Sequence, residues 1–387
     1  MDKILTIGMA HHNDFDGAWF SIQDIRKELM FNGRMDLLRR IEFIIIENDK
    51  DSAHAKSLKS FQNHGRGQIR VIDLDGVHGT SATRNKVIEE ARGEFVLVMD
   101  CHVLLCPTVK LLDQLFMFMD HNPDTKDLYT GPLVYDGLMQ ITTQYNDGWG
   151  AHMWGKWGLA WNCVCDKYHF TTAQKEDGKC EIRDNVSQKE ITNCPYCNKE
   201  FPKIDFAGHE GVLKKEGYNP LGMKFSEKPF EVFAQGLGLF FTKKTAWLKF
   251  NEHARGFGGE ECYIHEKYRK AGRKTISLPF LKWLHRFERP NGVKYELTVD
   301  NKLRNYVLEF TELDLDMTPL KQHFCVESNV SEELFNSFVQ EANKIYNKNN
   351  SVEGVDNNVG QNDLEKQIAE LQEQLHQIQN KKCCRVK

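Results

Sequence analysis

Asp100 and His102 stand two residues apart where an apolar run, EFVLVMD, comes to an end. Side chains alternate faces along an extended chain, so residues two apart point the same way and can converge on one ion. A carboxylate and an imidazole are both good ligands for a divalent cation. A second set of ligand types lies in residues 163–201, where Cys163 and Cys165 (CVC) and Cys194 and Cys197 (CPYC) bracket a polar stretch. Two thiolate pairs suit a tetrahedral structural zinc, which would leave no open position for catalysis and would hold together an insert with little core. The spacing of the first pair leaves Cys180 or His169 as alternatives for one of its members. A third group is FGGEE, where Gly258 and Gly259 allow close approach of the backbone to a ligand. Glu260 and Glu261 follow at a helix start, where the dipole favours carboxylates and where either could take a proton.

The elements that must position these groups follow from periodicity. KILTIGMA, IEFIII, IRVIDL and EFVLVMD are apolar runs of strand length, separated by segments of helical spacing such as FSIQDIRKELMF and SATRNKVIEEA. Alternation of this kind predicts an α/β fold, a mostly parallel sheet with helices on both faces. Such sheets bind ligands beyond the carboxyl ends of their strands, where MAHHND, ENDKD and MDCH all fall. Residues 107–162 are mixed, and NDGWGAHMWGKWG places Trp149, Trp154 and Trp157 either on an acceptor platform or in a packed irregular connection. Order returns at 230–290. Further on, NKNNSVEGVDNNVGQND reads as a linker over 349–362. Leu364, Ile368, Leu371, Leu375 and Ile378 then recur at alternating steps of four and three, predicting a short coiled coil over 363–382 and self-association through it.

Composition narrows the class. With 51 basic and 55 acidic side chains among 387 residues, the formal charge of −4 advertises neither nucleic acid nor membrane. No apolar run reaches spanning or secretory-signal length, so a soluble cytoplasmic protein is expected, phage- or virus-encoded origin included. The 11 cysteines then point to metal or free thiols rather than a disulfide framework. The terminal CRVK fits a prenylation box poorly.

SATRNKVIEEARGEFVLVMDCHVLL resembles the segment of GT-A fold, nucleotide-sugar-dependent glycosyltransferases in which an Ala-x-Arg-Asn helix leads into a strand ending in an acidic metal motif. The Asp-x-His form is that of polypeptide N-acetylgalactosaminyltransferases and their family-2-like relatives. GLGLFFTKKTAWLKF, the Gly-Gly-Glu turn and KTISLPFLKWLHRF are similar to the same enzymes' second half, in the same order. The resemblance implies that Asp100, His102 and His285 ligate manganese, or magnesium, on the diphosphate of a donor, with a UDP-sugar expected. Arg84 would approach the donor phosphates or the acidic motif, and one of Glu47, Asn48 and Asp49, with Asp49 in the matching position, would read uracil or ribose. Arg286, Arg289 and Tyr295 would contact the diphosphate from a lid. Gly-Gly-Glu-Asn accompanies retaining members and Gly-Gly-Glu-Asp inverting ones, and Glu261 in the last place leans towards inversion.

The expected organisation is a nucleotide-sugar-binding half over 1–162, the cysteine-rich insert over 163–201, an acceptor-side half over 202–300, a helical region over 301–348, the linker and the coiled coil. The expected activity is hexosyl or N-acetylhexosaminyl transfer to a hydroxyl. The acceptor is left among hydroxymethylated bases of phage or viral DNA, a glycan and a protein. From another class, a degenerate transferase domain could serve as an inactive scaffold, binding partners through the zinc insert and coiled coil.

Overall fold

The computed structural model describes residues 4–346 apart from 66, 77, 138–140, 175–178, 202–203, 206–224, 289–291 and 294. The linker, the coiled coil and Arg289 therefore lie outside the described residues. The chain divides into two units, Met1–Val339 and Gln340–Lys387. Of the second, the description covers residues 340–346, which include the last turns of a helix spanning Glu332–Ile345.

Strands β1 (Leu5–His11), β2 (Ile41–Glu47), β3 (Ile69–Asp73) and β4 (Phe95–Asp100) alternate with helices α1 (Phe15–Phe31), α2 (Met35–Leu38), α3 (Ala53–His64) and α4 (Thr80–Glu90). All four strands pair parallel, in the order β3-β2-β1-β4. Every residue of β2 is buried, as expected of a strand covered on both faces. Alternation sorts the two faces: Leu5, Ile7 and Met9 of β1 with Phe95, Leu97 and Met99 of β4 pack under α1 (Ile22, Ile25, Leu29) and α3 (Leu58). Ile44, Ile46, Val96 and Val98 face the other way, onto Val87 and Ile88 of α4. Gly8 lets α4 settle on the sheet, because a Cβ there would lie 2.1 Å from a methyl of Val87.

After β4 the chain runs through β5 (Val103–Leu105), α5 (Thr108–His121), β6 (Leu128–Thr130), β7 (Leu133–Tyr135), β8 (Ile141–Thr142) and the hairpin β9 (Gln144–Gly150) and β10 (Met153–Gly158). β11 (Ala160–Asn162), β12 (His169–Gln174), β13 (Lys179–Asp184) and β14 (Ile204–Asp205) form an antiparallel sheet of their own. The remaining elements are β15 (Phe230–Glu231), β16 (Leu239–Lys243), α6 (Glu260–Lys270), β17 (Thr275–Ser277), β18 (Trp283–His285) and α7 (Val299–Leu313). The main sheet reads β15-β17-β6-β16-β4-β1-β2-β3, mostly parallel, with β16 antiparallel to both its neighbours and β15 reversed at the edge. This is the α/β architecture expected from the alternating pattern, and it is GT-A-like, as the family resemblance implied. A second sheet, β5-β18-β7-β8, stands beyond the end of β4. Among the described residues no helix is long and apolar enough to cross a membrane.

Candidate metal and nucleotide-sugar site

In-register pairing gathers the functional residues. His11, Glu47 and Asp73 face one another across β1, β2 and β3, and Asp100 lies beside Ala10, so the parallel strands end on one line. Asp100 is the last residue of β4, and its amide is fixed to the Gly238 carbonyl at 2.8 Å. Two residues on, the chain enters β5, whose antiparallel partner β18 sets His285 opposite Val103, and the Arg286 amide donates to the His102 carbonyl. Side chains 183 residues apart thus meet because one short strand pair crosses the end of the parallel sheet.

Their ligand atoms converge. His102 Nε2 lies 3.2 Å from His285 Nε2, and Asp100 Oδ2 lies 4.0 Å from the first and 3.7 Å from the second. Donors on neighbouring positions of a cation with bonds of about 2.0–2.2 Å are about 3.0–3.5 Å apart, so the set fits a divalent ion with little adjustment. Two imidazole nitrogens facing each other at this distance need either a proton or a cation between them, and the nearby carboxylate favours the cation.

The surrounding residues aim these ligands. Arg84 is buried, donating to Asp100 Oδ1 at 3.0 Å and to Glu260 Oε1 at 2.9 Å, which leaves Oδ2 of Asp100 turned to the imidazoles. Burial pushes the Asp100 carboxyl up, but Arg84 and the two histidines outweigh it and hold it well below the usual carboxylate range. Asp14 accepts from or pairs with His102 Nδ1 at 3.0 Å and is approached by Arg286 at 3.4 Å; burial opposes its charge, and His102 nonetheless brings it down to about 2. A carboxylate on the far nitrogen of a ligating imidazole fixes its orientation and raises its basicity. Behind it, the wholly buried Glu47 pairs with His11 Nδ1 at 2.6 Å, while His11 Nε2 accepts from the Asp14 amide. Asp14 had no spacing to mark it in the sequence; the hint was its place in MAHHND at a strand end.

The cleft above these ligands has a volume of about 1000 Å³, a size typical of small-molecule sites, and is lined by Asp14, Asp49, Arg84, Asp100, His102 and Arg286 among others. The loop beyond β18 contributes Tyr295, whose ring stacks on Phe257 at 5.1 Å across the cleft wall. Of the three candidates at the end of β2, Glu47 is spent on His11 and on the Asp49 amide. Asn48 is spent on Thr83, the Gly79 amide and the His11 carbonyl. Asp49, half-buried and touched by Asn13 at 3.3 Å, is the acid left facing the cleft.

Glu260 and Glu261 part company. Glu260 is buried and turned onto Arg84, so it anchors the arginine rather than facing the cleft. Glu261 and Glu260 lie near that same guanidinium, and the wholly buried Glu309 of α7 faces both carboxyls, with Lys267 only partly offsetting their repulsion. Burial and the charge of Glu260 push Glu261 up to about 8, and burial with the same neighbours holds Glu309 well above its usual value. The glycines make this crowding feasible: Gly259 has φ +112°, and a Cβ there would lie 2.9 Å from a Glu309 oxygen. Asn305 of α7 donates to the Gly258 carbonyl at 2.8 Å, so α7 grips the turn from behind.

The cysteines converge as well. Cys163 Sγ lies 3.7 Å from Cys197 Sγ, and Cys165 Sγ lies 3.7 Å from Cys194 Sγ, with all four within 4.8 Å. A tetrahedral zinc with Zn–S of about 2.3 Å has sulfur–sulfur edges of about 3.8 Å, so this set fits it. Two similar turns present the thiolates: the Asp166 amide donates to the Cys163 carbonyl at 2.8 Å and the Asn198 amide to the Cys194 carbonyl at 2.9 Å, with φ near +60° at Asp166 and Asn198. His169 does not join them; it stacks on Phe230 at 4.6 Å, and burial brings it down to about 4. Cys180 stands on β13, and its side chain lies outside the described ones.

The three tryptophans of the hairpin divide. Trp154 is buried, its indole N–H donating to Asp147, and Trp149 packs among Tyr306, His323 and Phe324. These two belong to a packed connection. Trp157 points elsewhere, towards Tyr145 and Tyr135.

Residues 9–158 match the family model described as glycosyl transferase family 2, which supports a GT-A fold nucleotide-sugar glycosyltransferase domain. None of the curated proteins matches the chain. Among solved structures, the chain is similar to GalNAc-T7, whose crystal structure holds UDP, GalNAc and Mn2+, at 15% identity and a TM-score of 0.47, covering 88% of this chain and 56% of that one. It therefore spans little more than half the length of that protein's chain. It is also similar to the mannosyltransferase PcManGT from Pyrobaculum calidifontis, in complex with GDP-Man and Mn2+, at 11% identity and a TM-score of 0.39, covering 89% of this chain and 70% of that one.

Proposed function

We propose that this glycosyl transferase family 2 domain moves a sugar from a UDP-sugar to a hydroxyl acceptor with inversion, using manganese held by Asp100, His102 and His285. The observation that supports it is the convergence of those three ligand atoms beside a cleft of about 1000 Å³, a volume that suits a nucleotide diphosphate. Oxygen with two imidazoles suits manganese better than magnesium. When bound, the cation would supply charge stabilisation on the departing diphosphate.

The chain's own residues do the rest. Arg84 keeps Asp100 ionised and aimed, and Asp14 keeps His102 in one orientation. Arg286 and Tyr295, and Arg289 by the family resemblance, would meet the diphosphate, and Asp49 the uracil or ribose. The acceptor oxygen attacks the anomeric carbon as the bond from that carbon to the diphosphate oxygen breaks; Glu261 takes the acceptor's proton, and UDP leaves with the electron pair. The carboxyl of Glu261, with its raised affinity for protons, is a stronger base than an exposed glutamate would be.

The four thiolates are proposed to hold a structural zinc that ties the β11–β14 sheet together, apart from the chemistry. The organisation proposed remains a donor half over 1–162, the insert over 163–201 and an acceptor half over 202–300, with homo-oligomers through the segment 363–382 and action in the cytoplasm. Hexosyl and N-acetylhexosaminyl donors are separated by experiment: UDP release from a panel of UDP-sugars, with manganese or with EDTA. Release that needs the metal and disappears in Asp100→Asn supports transfer, and no metal-dependent release across the panel returns the chain to the scaffold reading.

A further inference from the structure

The cleft accounts for the donor side of the ligands but not for what lies on the other side of His285. There the rings form a continuous row. His285 lies 4.1 Å from Phe287, Phe287 stacks on Tyr135 at 4.9 Å, Tyr135 meets Trp157 at 5.9 Å, and Trp157 meets Tyr145 at 4.5 Å, all between ring centroids. Four elements supply this row: β18 and its exit, β7, which pairs β18 in register at His285 and Tyr135, and the hairpin strands β10 and β9, where Trp157 faces Tyr145. None of Phe287, Tyr135 and Trp157 lines the donor cleft. Phe287 is 42% exposed and Trp157 41%, a large apolar surface for a solvent-facing position next to a polar site.

We propose that Trp157, Tyr135 and Phe287 form the acceptor platform and that its occupant is a carbohydrate ring. The inference rests on the glycosyltransferase reading and deepens it. A nucleotide donor in the cleft approaches the cation from one side, so the attacking hydroxyl must come from the side where the ring row begins. Flat aromatic surfaces take the C–H face of a pyranose while leaving its hydroxyls at the rim. The rim suits hydroxyls: Asp136 and Glu288 adjoin Tyr135 and Phe287, and the Asp136 carboxylate already accepts from the Glu288 amide at 3.0 Å. Burial pushes the Tyr135 phenol up to about 12, so it stays a neutral donor through the working range. The charge at the rim disfavours a nucleic-acid backbone, which needs cations. Lys156, the residue before Trp157, is turned to the opposite face of the hairpin, its methylenes over Gly148 and Gly150. At the inner end, Gly155 lies against both the Tyr145 ring and Cys262 Sγ, so the start of α6 with Glu261 adjoins the row; burial first, and the charge of Glu261 after it, raise the Tyr145 phenol.

The test uses saturation-transfer NMR on the whole chain with Mn2+ and UDP, against methyl glycosides of glucose, galactose, mannose and N-acetylglucosamine. A duplex carrying 5-hydroxymethylcytosine and a serine- and threonine-containing peptide are the competing probes. Transfer to the ring protons of at least one glycoside, weakened tenfold or more in affinity by Trp157→Ala and by Phe287→Ala, is the expected result. Both side chains are partly exposed and lie outside the main core, and circular dichroism with Mn2+ affinity checks that each truncated chain is folded. Binding of the duplex or the peptide with none of the glycosides overturns the proposal, as does a glycoside signal that neither substitution changes. Metal-dependent UDP release by the wild-type chain separates these failures from failure of the transferase reading itself.

Discussion

Among the described residues, two clusters of side chains could hold a metal ion, and they are built in opposite ways. The thiolates of Cys163, Cys165, Cys194 and Cys197 come from two tight turns close in sequence, each shaping its own ligands through local amide bonds, and the four sulfurs enclose the site. Asp100, His102 and His285 come from the end of a parallel sheet and from a strand that returns 183 residues later, and they cover one side of a cleft. Local turns make a staple. Strand ends held by a sheet make a site that a substrate can enter, because the backbone is fixed elsewhere and the ligands are free to face outward.

The comparison predicts that damage at the two clusters will be read by different instruments. The largest effect is expected at the open site: Asp100→Ala or His102→Ala removes a cation ligand worth several kcal/mol in the transition state, so kcat/KM for transfer should fall by about 10³ or more, with circular dichroism unchanged. Next, Glu261→Gln should lower kcat by about 10²–10³. Because Glu261 titrates near 8 and the base must be deprotonated, the wild-type rate should rise with pH through about 8, and a flat profile between pH 7 and 9 would remove Glu261 from that place. Asp14→Asn keeps an N-cap for α1 but loses the carboxylate on His102, and is expected to weaken Mn2+ about 10–100-fold by calorimetry while the metal-free melting temperature stays put. The smallest effect on catalysis is expected at the closed cluster. Cys194→Ser should release one zinc per chain in a colorimetric assay and lower the melting temperature, with Mn2+ affinity altered by less than a factor of about three.

The same contrast explains what could be read from the chain alone. Alternating apolar strands and helices foretold the parallel sheet, since β2 and β4 are buried on both faces and say so in near-continuous apolar runs. The reversed β16 in the middle of the sheet had no such signature, because strand direction is not written in hydrophobicity. The cysteine set was legible as spacing; the structure brings Cys163 and Cys165 to Cys194 and Cys197, while the ring of His169 is engaged with Phe230 and the side chain of Cys180 lies outside the described ones. His285 was reached by family resemblance, for no local pattern ties it to Asp100. Asp14, His11 and Glu47 were invisible as a unit, because their relation is one of register across β1 and β2. Glu260 and Glu261 looked equivalent as neighbours in sequence; burial separates them, turning one onto Arg84 and leaving the other with a raised proton affinity.

The central claim is that three residues distant in sequence share one cation. Calorimetric titration of Mn2+ into the chain in the presence of UDP, repeated with His285→Ala, tests it most directly. One Mn2+ per wild-type chain, with affinity lost by about a hundredfold or more in the variant, is the predicted result. Equal affinity in the two proteins would contradict it.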